Sequence, residues 1–482
     1  MSAYDSLLAR LRRMGALRDA AEMLAWDQQV MMPPGGVEAR AAQMAALSAS
    51  IHELLVSAET GRLLAEAERE ERDEARRALL REVRFAYDRE TRVPGELVEA
   101  LSKAASRGYE AWVEAKKASD YARFRPHLEE LLDLKRGYAA HVDPGVSAYE
   151  ALFQDYEPWI PLAEARRNLA ELRAGLKPLV EKARERRAPR PRALEGSWPA
   201  AKQEALSRRV AEMIGYDFQR GRLDTSPHPF SAGGAHDARI TTRYYDDDPL
   251  PSLLGTIHEA GHATYMQGLP REHAGTPLGE ARDLVVHESQ SRLWENHVGR
   301  SLPFWERVVP MMRETFDGAP RASVQEVWRA VNHVEPTLVR VDADELTYHM
   351  HIALRFELEE AMIAGKLPLD ELPHRWNEAM ERDLGVTPPK DAKGCLQDMH
   401  WSTGSFGYFP TYSLGSMLSA QLMAAYPGDA DDYGALLAWL REHVHRHGKR
   451  YKTGELVERA TGRALSPDAF LRYASEKYAR VW

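Results

Sequence analysis

From residue 37 to about 188 the sequence leaves the backbone little choice. Alanine, leucine, glutamate and arginine dominate, and these side chains lose little freedom in a helix. Breakers are sparse: Pro94-Gly95, Pro126, Pro144-Gly145, Pro158 and Pro161. So long a helix-forming run must bury its apolar stripes helix against helix. The reading is a mainly α fold, and 482 residues suffice for a large core.

The flanks can be read the same way. Residues 4 to about 30 carry Leu7, Leu11, Met14, Leu17, Ala21 and Leu24 at helical spacing. Pro33-Pro34-Gly35-Gly36 ends that helix. Trp26, just before the break, reads equally as a buried turn residue and as a cleft wall. Arg184 to Pro199, rich in arginine and proline, reads as a surface loop. The pattern changes at 226 to 246. Pro227-His228-Pro229-Phe230 and Gly233-Gly234 cannot continue a helix, and His236 to Tyr245 alternates as a strand does. That strand is either a small structural element or a rim able to pair with an extended peptide. Residues 326 to 365 read as mostly helical, with a break or kink at Pro336. Val339 to Glu345 reads as a surface charge cluster, Gly394 to Tyr412 as a site loop and Ser413 to Trp482 as packing helices.

One segment carries chemistry. His258-Glu259-Ala260-Gly261-His262 lies inside a helical pattern, where residues four apart share a face. His258 and His262 can therefore offer two imidazoles to one ion, the geometry of a zinc metallopeptidase. Leu254 and Met266 extend the stripe, so the face is buried or lines a cleft. Glu259 lies beside the stripe and would reach a water rather than the ion, as a general base must. The next helix, Asp283 to about Val298, has an apolar arc of Leu284, Val285, Trp294 and Val298. Glu288 and Glu295 both interrupt it, and a carboxylate there is costly unless paired or bound to a cation. Spacing leaves either as the third ligand.

Composition narrows the class. A formal charge of −9, with acids and bases interspersed, argues against nucleic acid as a partner. The single cysteine, Cys395, allows no intramolecular disulfide and fits a reducing, cytoplasmic compartment. No secretory leader and no membrane span are expected.

Six ordered motifs then give a resemblance: His228-Pro229-Phe230, Asp237-x-Arg239-x-Thr241, His258-Glu259-x-x-His262, His287-Glu288-Ser289-Gln290, Arg340-x-x-Ala343-Asp344 and Gly394-x-x-Gln397-Asp398-x-His400-Trp401. Over essentially its full length the chain resembles the carboxypeptidase Taq family of zinc metallocarboxypeptidases. It departs in having Val339 where the family usually has isoleucine. The resemblance implies a single catalytic domain, 1–482, whose helical subregion 1–225 and zinc-site subregion 226–482 flank a deep groove with a small β-sheet at its rim. Neurolysin and angiotensin-converting enzyme are similar in this respect. It implies one Zn2+ per chain, which Co2+ could replace, held by His258, His262 and Glu288. It makes Glu259 the base and has Arg340 grip the substrate's free C-terminal carboxylate. His400 and a tyrosine, Tyr412 or else Tyr408, would stabilise the intermediate, and Arg239 is a further substrate-binding candidate. The implied activity is broad release of C-terminal amino acids from peptides, proline excluded, by a cytoplasmic homodimer with no membrane partner. Two readings compete: an endopeptidase of the same architecture, which would also cut amidated peptides, and a helical scaffold with a structural ion, which would cut nothing.

Overall fold

The computed structural model describes residues 2–186 and 191–482. Nine helices come first: α1 Ala3–Val30, α2 Val37–Val56, α3 Ala58–Glu70, α4 Glu74–Arg92, α5 Gly95–Ala118, α6 Tyr121–Val142, α7 Ala148–Phe153, α8 Leu162–Arg186 and α9 Ala200–Met213. Three strands follow, β1 Leu223–Thr225, β2 Ser231–Gly233 and β3 Ala238–Thr242. Then come α10 Leu250–Gly268, α11 Leu284–Arg292, α12 Leu302–Thr315, α13 Val324–Val331, α14 Tyr348–Ile363 and α15 Leu372–Leu384. The last are α16 Pro410–Ala425, α17 Tyr433–His443, α18 Thr453–Thr461 and α19 Asp468–Val481. The mainly helical expectation holds, with one small sheet. The arginine- and proline-rich loop expected at 184–199 falls partly on residues 187–190, outside the described residues.

Local chemistry explains the ends. Ser2 and Asp5 form a reciprocal capping box at the start of α1, and Pro34–Gly36 make a single 3-10 turn after it. The apolar stripe of α1 buries Tyr4, Leu7, Leu11 and Met14 against α3, α4 and Leu278 in a separate small core. The main core gathers α5 to α19 and the sheet around the fully buried Trp198, Trp294, Trp305 and Trp376.

Three expectations change in the structure. The strand is real, but β3 is the central one: β1 pairs with it in parallel and β2 antiparallel, with Leu223 and Ser231 both opposite Ile240. Both its edges are taken, so β3 itself cannot pair with a peptide. The helix expected at 283–298 is α only as far as Arg292, then widens into a π turn over Leu293–Val298. Of the break or kink expected at Pro336 the structure shows the break, wider than one residue: 332–347 leave the helix, apart from a 3-10 turn at Arg340–Asp342. The cluster at 339–345 is only partly on the surface: Val341 and Asp342 are exposed, but Arg340 and Glu345 are buried.

Candidate active site

The site begins with two close helix crossings. α10 carries both histidines of the motif and is buried along most of its length. A Cβ at Gly261 would stand 2.7 Å from Ser291 Cα, so only glycine lets α11 cross α10 this closely. α16 closes the other side, where a Cβ at Gly415 would lie 2.8 Å from Cβ and Cγ of Glu288. The two glycines let Glu288 stand over the histidines.

His258, His262 and Glu288 converge, each offering one donor atom within 4.8 Å of the others. Glu288 Oε2 lies 3.7 Å from His258 Nε2 and 3.5 Å from His262 Nε2. The other nitrogen of each ring is engaged. His258 Nδ1 bonds Glu295 Oε2 at 2.9 Å, and His262 Nδ1 bonds the His287 carbonyl at 3.0 Å. With their Nδ1 hydrogens donated, both rings turn a free Nε2 lone pair toward Glu288, as ligating histidines do. The donor set therefore fits a divalent ion. It also separates the two glutamates. Glu295 is held from behind by His258, Arg292 at 3.1 Å and Arg300 at 3.4 Å. Glu288 Oε1 accepts from Arg292 Nε at 2.7 Å, and Oε2, which also accepts from the Ser291 hydroxyl at 3.1 Å, faces the histidines. Burial would raise the Glu288 carboxyl, but Arg292 and the two histidines hold it well below its usual range.

Glu259 is buried, and burial raises its carboxyl above the ordinary range while His258 and His262 pull it back. The Ser231 hydroxyl of β2 donates to it. Beside this pair lies a cleft of about 590 Å³ walled by Trp26, Ser231 and His287, so Trp26 is both buried and part of a cleft.

The loop expected at 394–412 does lie against this region. Trp401 Nε1 donates to Glu359 Oε1 at 2.8 Å, and the Gly407 amide donates to Glu359 Oε2 at 3.1 Å, which pins both halves of the loop to α14. His400 packs against the tilted rings of Tyr408 and Phe409, and burial brings its imidazole down to about 4, so it is neutral at ordinary pH. Its Nδ1 is buried without a protein partner. The Tyr408 and Tyr412 hydroxyls are hydrogen-bonded to each other, and the Glu288 charge reaches Tyr408. Arg340 gives Nε and Nη2 to Asp398 Oδ1 at 3.0 and 2.8 Å and Nη1 to the Tyr348 hydroxyl at 3.1 Å. Asp398 is shared with Arg355, whose Nε is 2.7 Å away. The two arginines and one carboxylate leave a net positive charge of one.

Arg239 lies against the wall of the Trp26 cleft. Its guanidinium pairs with Asp237 at 2.7 Å and lies over the Trp26 ring at 4.3 Å. Thr241 ties the two remaining motifs together: its hydroxyl accepts from the Phe230 amide at 2.9 Å and from Ser226 at 2.7 Å. The sequence reading missed Arg292, Tyr348 and Arg355. Arg292 was findable, being four residues after Glu288 and three before Glu295 on one face; the other two carry no signal of their own.

Comparison with known proteins follows the same line. The family model described as Carboxypeptidase Taq (M32) metallopeptidase matches residues 6–478. Thermostable carboxypeptidase 1 of Thermus thermophilus is 40% identical, the alignment covering 100% of this chain and 99% of that one. Thermostable carboxypeptidase 1 of Pyrococcus furiosus is 36% identical over 98% of this chain and 97% of its own. The crystal structure of the M32 carboxypeptidase from Deinococcus radiodurans superposes with a TM-score of 0.96 at 39% identity, covering 99% of each chain.

Proposed function

The chain belongs to the carboxypeptidase Taq (M32) family and is a metallocarboxypeptidase; from that premise we propose that it uses one Zn2+ to release C-terminal residues from peptides of varied sequence, sparing those that end in proline. The observation that carries the reading is the convergence of two free Nε2 atoms and Glu288 Oε2. Two imidazoles and one carboxylate form the donor set of catalytic zinc, which keeps a further position open. Co2+ would suit the same set. Bound there, the ion supplies Lewis acidity, polarising the scissile carbonyl and acidifying the attacking water.

The chain's own groups do the rest. Glu259 takes the proton of the attacking water on its carboxylate and returns it to the leaving amine, a role its raised pKa suits. Neutral His400 and a tyrosine donate to the oxygen on which charge develops. Tyr412 leads in the sequence reading. The reach of the Glu288 charge to Tyr408 supports the reverse order. The positive charge left over by Arg340, Arg355 and Asp398 would receive the terminal carboxylate, with the Arg340 fork suited to it. Arg239, through Asp237 and Trp26, would act on substrate only by shaping the cleft.

A single catalytic domain spanning 1–482 and a cytoplasmic homodimer complete the proposal. The family match over 6–478 supports the first, and the lone buried Cys395 supports a reducing compartment. Among the described residues no helix is long and apolar enough to cross a membrane. Light scattering on the purified protein tests the dimer. The activity is tested by incubating one peptide and its amidated twin with the protein, with and without a chelator, and reading the products by mass spectrometry. Laddering from the free C-terminus only, abolished by the chelator, is the expected result. Cutting of the amidated twin would restore the endopeptidase alternative, which the family does not favour.

A further inference from the structure

Gln267, Gly268 and Leu269, at the C-terminal end of α10, open onto a cavity of about 640 Å³ whose charge is one-sided. Arg220, Arg271, Arg441, Arg446 and Arg450 line it, against one acid, Glu272. The whole chain is formally −9, so composition does not explain this density of cations.

Ordinary duties occupy some of these arginines. Arg220 pairs with Asp217 at 2.8 Å and caps α10 by donating to the Gln267 carbonyl at 2.9 Å. Arg446 pairs with Glu442 on its own turn. Arg450 reaches Glu74 at 3.3 Å, yet its Nε is buried without a partner. Among the described residues, no hydrogen bond or ion pair reaches the side chain of Arg271 or Arg441. Arg441 is half-buried, with Arg220 and Arg271 beside it and Asp217, already taken by Arg220, as the acid within reach. Burial and the cations Arg446 and Arg450 hold the His447 imidazole, on the same wall, below its usual value. Cations gathered in a concave, partly desolvated place repel one another unless an anion joins them.

We propose that this cavity binds a phosphate-bearing small molecule, with Arg271 and Arg441 as its principal ligands. A phosphate dianion offers enough oxygens to accept from several guanidinium forks at once. The volume exceeds that of a bare phosphate and lies in the range of small-molecule sites. The site is separate from the catalytic one: Gly268 lies six residues beyond His262, about 9 Å along the helix axis. It does not depend on the reaction assigned above.

Isothermal titration of the metal-loaded protein with fructose 1,6-bisphosphate at constant ionic strength tests it. Saturable binding at one site per chain is expected, weakened at least about tenfold in Arg271→Gln and in Arg441→Gln, each of which removes one charge-assisted donor set. Hydrolysis of an unphosphorylated peptide should be unchanged in both variants, which also shows that they fold. No saturable binding, equal affinity in the double variant, or the same response to sodium chloride at matched ionic strength would overturn the proposal.

Discussion

At the scale of single residues, the site separates groups that look alike in the sequence. Glu288 and Glu295 sit on one helical arc, but only Glu288 turns an oxygen to both imidazoles. Glu288→Ala should abolish stoichiometric metal binding. Glu295→Ala should leave the ligands in place and weaken metal affinity by about 10–100-fold, the usual cost of losing a group that orients a ligating histidine. Metal analysis after chelator competition distinguishes the two, and the opposite ranking would reassign the third ligand. Glu259→Gln should keep the metal and lower kcat by about 10²–10⁴, because it removes the proton acceptor alone. Retained turnover would mean another base. Tyr408→Phe should cost about 10²–10³ in kcat if its proton is the one aimed at the intermediate. Tyr412→Phe should cost less, since it is Tyr408 that the Glu288 charge reaches. A larger loss at Tyr412 in steady-state kinetics would reverse that order.

At the scale of elements, the metal centre is a product of how closely three helices pack. Gly261 sets the crossing of α10 and α11, and Gly415 sets that of α16 over Glu288. Gly415→Ala adds a Cβ where Glu288 Cβ and Cγ already are, so it must displace the carboxylate. The expected outcome is a loss of stability of about 1–3 kcal/mol by denaturant titration, typical of overpacking, together with weaker metal binding. If the metal affinity is unchanged, α16 does not position Glu288. The 394–412 loop is likewise placed from outside itself, by its two bonds to Glu359 of α14.

At the scale of the molecule, α1 packs with α2 and α3 beside its own small core, touches β2 and the Gly275 backbone, and is tied by polar links as well to the part that carries the candidate metal site. One runs from Arg18 of α1 through Glu280 to Lys449. Burial raises the Glu280 carboxyl, but Lys449 and Arg18 outweigh it and bring it down to about 2, against 4.5 ordinarily. A carboxyl lowered by folding stabilises fully above its unfolded value and loses that contribution as pH falls toward the folded one. Hydrogen exchange in α1 should therefore speed up relative to α10 between about pH 5 and pH 2, over and above the intrinsic rate. Glu280→Gln should remove the difference, and an unaltered profile in that variant would place the acid sensitivity elsewhere.

What the sequence determined by itself is whatever lies within a few residues along the chain. Helical spacing put His258, His262 and Glu259 in the right relation, and propensity made the fold mainly helical, because both depend on neighbours one turn apart. Tertiary structure decided the rest. Spacing left Glu288 and Glu295 open; the tertiary structure brings Glu288 Oε2 within 3.7 Å of both imidazoles while His258 Nδ1 and Arg300 engage Glu295 from behind. The centrality of β3, the departure of 332–347 from helix and the sharing of Asp398 by Arg340 and Arg355 all join residues far apart in sequence. No local pattern encodes such contacts, since their energy comes from burial and charge pairing that exist only once the chain has closed on itself.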